Sequence, residues 1–311
     1  MKLEFIKGHM GGNTIAILDG RNLPEGQELN ISLDIMGNEK LCCQEAGLLY
    51  PPIEEDEDLR VRIVGYASRK FISACGGLTQ VLGQVLAQTR WGERFGLDLK
   101  ARNTIRLGTE AGVVTIQILK EKNGIKTITD MTSFLKEIYE MGCEPLNLCG
   151  SQAWRIGKFL VINADELRKT LPKANVEKLD EATRNQVVMM QNAFFESSPF
   201  AGFDLALYDN QTTREGHTFR VTFPHSIPKG LIEPSCGTGS VAVCVAAFLN
   251  GSLPHQGEKA SLAVRLESGG GPELGGPDTT LVTLHVEGDR IQEVSFSHSK
   301  VEIVCEGSVF V

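Results

Sequence analysis

The chain has 311 residues, 41% of them hydrophobic, and a formal net charge of -8 at pH 7; single cores rarely grow past about 250 residues, so two domains are expected. The acid excess leaves no basic stripe for nucleic acid or an anionic membrane, and the eight cysteines and six histidines form neither a CxxC nor an HExxH pattern, against a disulfide framework or a structural zinc. Met1 to Gly20 has no secretory pattern, and the longest apolar run, Val241 to Leu249, falls far short of the ~20 residues a bilayer needs, so a cytoplasmic protein is expected.

Leu3 to Asp19 reads as strand, turn and strand, with glycines crowded between Gly8 and Asn13 where the backbone bends close to something. Asn13 closes that turn; its amide suits a ligand, and Asn equally suits a left-handed turn position. Leu29 to Met36 fits a short helix or a strand. Glu54 to Asp58 is an unbroken acidic run and reads as a solvated loop. Leu59 to Tyr66 alternates as a half-buried strand. It leads to Cys75-Gly76-Gly77, after which Val81, Leu82, Val85 and Leu86 have helical periodicity, ending near Trp91-Gly92. Asn103 to Lys120 predicts a hairpin turning at Glu110-Ala111-Gly112, and Asn123-Gly124 signals a second. Thr132 to Tyr139 predicts a short helix with Thr132 as a candidate cap, and Glu140 to Gln152, rich in turn-forming residues, is the candidate linker.

The second half repeats this outline. Lys158 to Asn163 reads as a strand, Ala164 to Leu171 as a helical segment, and Val176 to Met190 as an amphipathic helix ended before Asn192. Strands follow at Phe203 to Tyr208 and Thr218 to Phe223, then a loop from Pro224 to Gly230. His225 in that loop is a pocket residue or, more often for such a position, a plain surface histidine. Cys236-Gly237-Thr238-Gly239-Ser240 then opens an apolar helical run to Leu249. Strands are predicted at Leu262 to Leu266, Leu281 to Val286, Ile291 to Phe296 and Val301 to Val304. Gly269 to Asp278 reads as a mobile loop, since it carries no GxxxxGK[ST] phosphate cradle.

The two Cys-Gly turns lie about half the chain apart, the mark of an internal repeat. A helix start leaves backbone N–H donors unpaired and carries partial positive charge, so each turn is a carboxylate cradle with a thiol at its lip. The same field is expected to lower the cysteine pKa from about 8.5 toward neutrality. One such cysteine is ordinarily a small buried hydrophobe. Two, in matching contexts, suit a pair of acid/base groups.

Cys236-Gly237-Thr238-Gly239, the partner Cys75-Gly76, the opening Lys7 to Asn13 and the closing Val304-Cys305-Glu306-Gly307 together resemble the diaminopimelate epimerase and proline racemase superfamily. The resemblance implies an α+β fold of two pseudo-symmetric domains, each a curved antiparallel sheet around a central helix, with the active site in the interdomain cleft. The implied domains are 1–145 and 146–295, with strand 296–311 returning to the first. It implies a cofactor-independent racemase or epimerase that inverts the α-carbon of an amino acid or related carboxylic acid. Cys75 and Cys236 would be the acid/base pair, and Asn13, Gly76, Gly77, Gly237, Thr238 and Gly239 would hold the substrate. No metal or cofactor is implied, the partner is a small-molecule carboxylate, and a homodimer is the expected assembly.

Four departures argue against diaminopimelate itself. Gly77-Leu78 stands where Asn-Gly is usual after the first Cys-Gly. An Asn-Pro-His motif is missing around Arg155 to Lys158. The loop near Phe223-Pro224 lacks a Glu-Arg pair, and an asparagine near Gly202-Phe203 is lost. Two alternatives stay open: a double-bond isomerase of an unsaturated carboxylic acid, and a binding descendant without catalysis, which the two intact cysteines disfavour.

Overall fold

The computed structural model describes residues 1–37, 39–122, 124–176, 180–197, 204–224, 232–233, 235–253, 257–268 and 277–311. It is a mixed α+β chain dividing into two compact units: Met1–Ser133 with Ser297–Val311, and Phe134–Phe296. In chain order the first unit contains β1 (Lys2–Met10), β2 (Asn13–Asp19), α1 (Glu28–Met36), β3 (Glu45–Tyr50), β4 (Leu59–Gly65) and β5 (Lys70–Ile72). Then come α2 (Gly76–Gln88), the single turn α3 (Trp91–Arg94), β6 (Thr104–Thr109), β7 (Gly112–Glu121) and β8 (Gly124–Asp130). After α4 (Thr132–Met141), the second unit runs β9 (Cys143–Leu148), β10 (Ser151–Ile156), β11 (Phe159–Asn163), α5 (Ala164–Thr170) and α6 (Glu181–Ser197). It continues with β12 (Asp204–Asp209), β13 (Phe219–Pro224), β14 (Ile232–Glu233), α7 (Gly237–Leu249), β15 (Lys259–Ser268), β16 (Asp278–Glu287) and β17 (Arg290–His298). Last comes β18 (Val301–Phe310), which pairs with β1 in the first unit.

One ladder occurs twice. In the first unit β18, β1 and β2 pair antiparallel in turn, β2 with β3 parallel, β3 with β4 antiparallel, β4 with β6 parallel, and β6 with β7 antiparallel. In the second, β9, β10, β11, β12, β13, β15 and β16 follow with the same senses in the same order. The expected all-antiparallel sheets are therefore corrected: each ladder contains two parallel pairs. Parallel neighbours need a long crossover, and α2 and α7 are the crossovers from β4 to β6 and from β13 to β15.

These two helices are the centres of their units. α2 is buried from Gly76 to Leu86, and Leu78, Val81, Leu82 and Val85 join Ile6, Ile15, Ile63, Ile105 and Ile116 in one core cluster. Each such side chain contributes about 1.5–3 kcal/mol on burial. The helix presses close to β3: a Cβ on Gly47 would stand 2.5 Å from Leu78 Cδ1, so a larger residue there would push α2 away. A polar seam fixes its other flank. Thr79 Oγ1 lies 2.9 Å from Thr129 Oγ1, Gln80 Nε2 donates to the same oxygen at 2.8 Å, and Gln84 Nε2 donates to Ile125 O at 2.7 Å. α7 is buried from Gly237 to Phe248 and almost wholly apolar.

Gln80 also accepts the His298 N–H at 3.2 Å, tying the start of the returning segment to α2. Burial pushes the His298 imidazole down to about 4, partly opposed by its bond to the Lys300 backbone and reinforced by His9. The unfolded chain, with a histidine pKa near 6.5, binds a proton that the native state refuses over the window between those values. This contribution to stability is thus present above about pH 6.5 and declines as pH falls toward about 4. His298→Gln is expected to flatten that slope by roughly 3 kcal/mol, measured by denaturant unfolding of both proteins across the window.

Several local expectations change. Leu29 to Met36, open between helix and strand, lies in α1. The stretch 140–152 is not a linker but the end of α4 and the β9–β10 hairpin, because Gly and Pro punctuate hairpin turns as they do linkers. At the start of α4 Asp130 Oδ1 accepts the Thr132 N–H at 2.9 Å. α6 runs past Asn192 to Ser197, since that asparagine is exposed and needs no helix break. Strand β18 extends well beyond Val304. Asn123, Gly202-Phe203, the 225–231 loop with His225, and residues 269–276 lie outside the described residues, so the expectations placed on them stay with the sequence.

The acidic run also departs from a solvated loop. Glu57 is buried, its Oε1 2.5 Å from Arg60 Nη1, and its carboxylate lies where a side chain on Gly108 would be. Asp58 is clamped by Arg102 at 2.8 Å and Arg106 at 3.2 Å. Those bonds outweigh the desolvation that alone would raise it and hold its pKa down to about 2.

The second unit has a counterpart to the first of these ion pairs. Arg60 is registered against Gly108, and Arg220, at the matching ladder position, against Glu267. There the acid comes from the strand itself: Glu267 lies 3.2 Å from Arg220 Nη1, with both side chains buried, and also accepts from Thr213 N at 3.0 Å and from Arg214 N.

Candidate active site

Cys75 and Cys236 are both helix N-caps. Each has an extended backbone, φ -147° and ψ 111° at Cys75 and φ -130° and ψ 118° at Cys236. This is the geometry in which Ser, Thr or Asp normally turns a side-chain acceptor back onto the first turn. Here sulfur does so. Cys75 Sγ accepts from Leu78 N at 3.3 Å and Cys236 Sγ from Gly239 N at 3.4 Å, the same position in each helix. A hydroxyl four residues after each cysteine braces the turn: Thr79 Oγ1 donates to Gly76 O at 2.8 Å, and Ser240 Oγ to Cys236 O at 2.7 Å. The amides of Gly76-Gly77 and Gly237-Thr238 precede these bonded positions and have no intrahelical acceptor.

Around these caps the two units differ. In the first, Asn13 is buried, and its Nδ2 stands 3.5 Å from where a Gly77 Cβ would be, with Ile15 Cδ1 at 3.3 Å. Two of the sequence-derived residues thus lie side by side, with Ile15 beside them. In the second unit Phe159, buried, holds the hairpin position that Asn13 holds in the first, and Thr238 replaces the second glycine. The Thr238 hydroxyl lies 3.3 Å from Cys236 Sγ. Gly239 carries no side chain because the Phe223 ring fills that space, 2.6 Å from a Cβ built there.

Phe223 and Glu233 are cross-strand partners. The alternation Phe219, Val221, Phe223 could have placed Phe223 on the helix-facing side of its strand. Glu233 is buried despite its charge, which periodicity does not disclose.

The expected depression of the Cys236 pKa is overturned. Burial pushes the thiol well above its ordinary range, Glu233 and Asp204 push it further, and the bonds from Thr238 and Gly239 only partly offset them. Sequence registers the helix start but not the desolvation that outweighs it. These surroundings favour the neutral thiol form of Cys236, which keeps a partly exposed face. All eight cysteines are free. Among the described residues no group of three His, Cys, Asp or Glu could hold a metal ion, and no helix is long and apolar enough to cross a membrane.

Solved structures with the same architecture span the whole chain. A phenazine biosynthesis protein of the PhzF family from Bacillus anthracis superposes with a TM-score of 0.65 at 14% identity over 100% of both chains. A hydroxyproline epimerase from Agrobacterium vitis, with bound trans-4-hydroxy-L-proline, has a TM-score of 0.65 at 12% identity over 99% of this chain and 92% of that one. The chain has the diaminopimelate epimerase-like fold. A methylitaconate delta-isomerase of this fold has a TM-score of 0.63 at 13% identity, covering 99% of this chain and 95% of its own. No protein-family model and no curated protein sequence matches the chain. Within the diaminopimelate epimerase-like fold the likeness is one of architecture, and its members named here differ in reaction.

Proposed function

We propose that the chain is a cofactor-independent isomerase acting at the carbon next to a carboxylate, and specifically a racemase or epimerase of an amino acid or related acid. The observation that carries this reading is the repeated cysteine cap: a sulfur at the N-terminus of the central helix of each unit, beside amides that have no acceptor within the helix. Negative charge that develops on the substrate carboxylate when the α-proton leaves would be stabilised by those amides, which are fixed in place before reaction. Cys236, held as a thiol, supplies a proton, and Cys75 removes one from the opposite face. Asn13, beside Gly77, orients the carboxylate at the first cap. Two groups of the same kind let the reaction run both ways.

The relatives' names favour proton transfer next to a carboxylate in two forms, inversion in the epimerase and a double-bond shift in the methylitaconate isomerase. Incubation in deuterium oxide with L- and D-amino acids, hydroxyprolines and unsaturated mono- and dicarboxylic acids separates them. Wash-in of deuterium at an amino-acid α-carbon, with appearance of the opposite stereoisomer, is the expected result. Migration of a double bond with no amino-acid exchange would replace inversion by isomerisation. No exchange in any acid would remove both.

A further inference from the structure

The second cap aims a side-chain hydroxyl at its candidate acid/base sulfur. Thr238 Oγ1 is 3.3 Å from Cys236 Sγ, and either atom can be the donor. The corresponding residue beside Cys75 is Gly77, which has no hydroxyl. The Ser240 hydroxyl, four residues after Cys236, is engaged with the Cys236 carbonyl at 2.7 Å. Gly239 N–H also reaches the sulfur, but a backbone N–H can only donate. It binds a thiolate strongly and a thiol sulfur weakly, and cannot accept the S–H proton. A threonine hydroxyl donates and accepts, and its hydrogen rotates to suit.

We propose that Thr238 is a positioning residue for proton transfer at Cys236, reversing its own hydrogen bond as the sulfur loses and regains a proton. When Sγ–H is intact the hydroxyl oxygen accepts from it and holds it in place. When the proton passes from sulfur to the substrate carbon, the hydroxyl turns and donates to the thiolate. In the reverse direction the sulfur takes the proton back from carbon and the hydroxyl turns again. Threonine keeps its own proton throughout, and no redox partner is involved.

Buried Glu233 on β14 and Asp204 at the start of β12 both oppose negative charge on Cys236, and Thr238 is itself buried, so water is a poor substitute for its hydroxyl. The inference rests on the proposed acid/base role of Cys236, but its hydrogen bond is testable without any substrate.

The test is the rate of iodoacetamide labelling of the folded chain, resolved by peptide mass for Cys236 and Cys75, at a fixed pH below the Cys236 pKa. There the rate follows the thiolate fraction. Thr238→Val is expected to slow labelling of Cys236 about tenfold or more, since bonds to charged groups are the stronger class, and to leave Cys75 unchanged. Thr238→Ser is expected to restore the rate to within about threefold, the hydroxyl being the operative group. With a substrate in hand, Thr238→Val lowers kcat and leaves KM nearly unchanged. Equal Cys236 labelling in parent and valine variant would overturn the proposal. So would a serine variant as slow as valine, or equal slowing of both cysteines, which would mean that the change acts through the fold. An enzyme that exchanges no acid but labels as expected would overturn the proposed reaction and leave the hydrogen bond standing.

Discussion

Cys75→Ala and Cys236→Ala are each expected to lower the rate of stereochemical inversion by about 10³-fold or more, near the upper range for a positioned acid/base group. Alanine removes the sulfur while the amides of the helix start remain, so each variant should still fold and still bind a carboxylate. The two losses should not multiply in the double variant, because inversion already fails when either partner is absent. Each single variant should also retain slow deuterium exchange without inversion, from the face served by the surviving cysteine. Chiral separation of product and mass measurement of deuterium in the starting stereoisomer read the two effects apart. Inversion within about tenfold of the parent in either variant would exclude the two-thiol mechanism.

The largest expected effect on stability lies at Glu267. Glu267→Ala removes the acceptor for Thr213 N and Arg214 N and takes the carboxylate away from the buried Arg220 guanidinium. Breaking a buried pair from one side costs about 3–5 kcal/mol, because the remaining charge keeps its desolvation penalty. Glu267→Gln keeps the shape and some of the acceptors and should lose less. Replacing both members by apolar residues, Arg220→Met with Glu267→Leu, should recover part of the loss, since neither member of the pair is then left charged in the interior. Equilibrium unfolding in denaturant ranks the three. A loss below about 1 kcal/mol for Glu267→Ala would mean that Arg220 reaches solvent on unpairing.

Sequence and structure agree best where local pattern and tertiary role coincide. The two Cys-Gly turns were legible because a strand, a glycine break and an apolar helical run each leave a mark in the chain. Their matching sulfur caps follow from that local order. What pattern could not supply is environment. Glu57 sits in an acidic run, and only the juxtaposition of Arg60 and the bare Cα of Gly108 buries it. Cys236 begins a helix, yet its protonation is set by burial and by Glu233 and Asp204, contributed by separate strands. Thr238 was recognisable as an amide donor from its place in the turn. The direction of its hydroxyl, toward sulfur rather than a backbone carbonyl, depends on a rotamer. Residues 140–152 were misjudged for a different reason, because a hairpin and a linker use the same turn residues and only strand pairing separates them.

The return of β18 to β1 has a consequence for the order in which the protein acquires structure during synthesis. Phe134–Phe296 is continuous, so its whole ladder is synthesised before the last strand. The unit that begins the chain is discontinuous. Its β1 has β2 on one side, while its other side is complemented only when Val301–Phe310 emerges. The half translated first is therefore the half completed last, and until then the β1 edge is an open template for pairing with another chain.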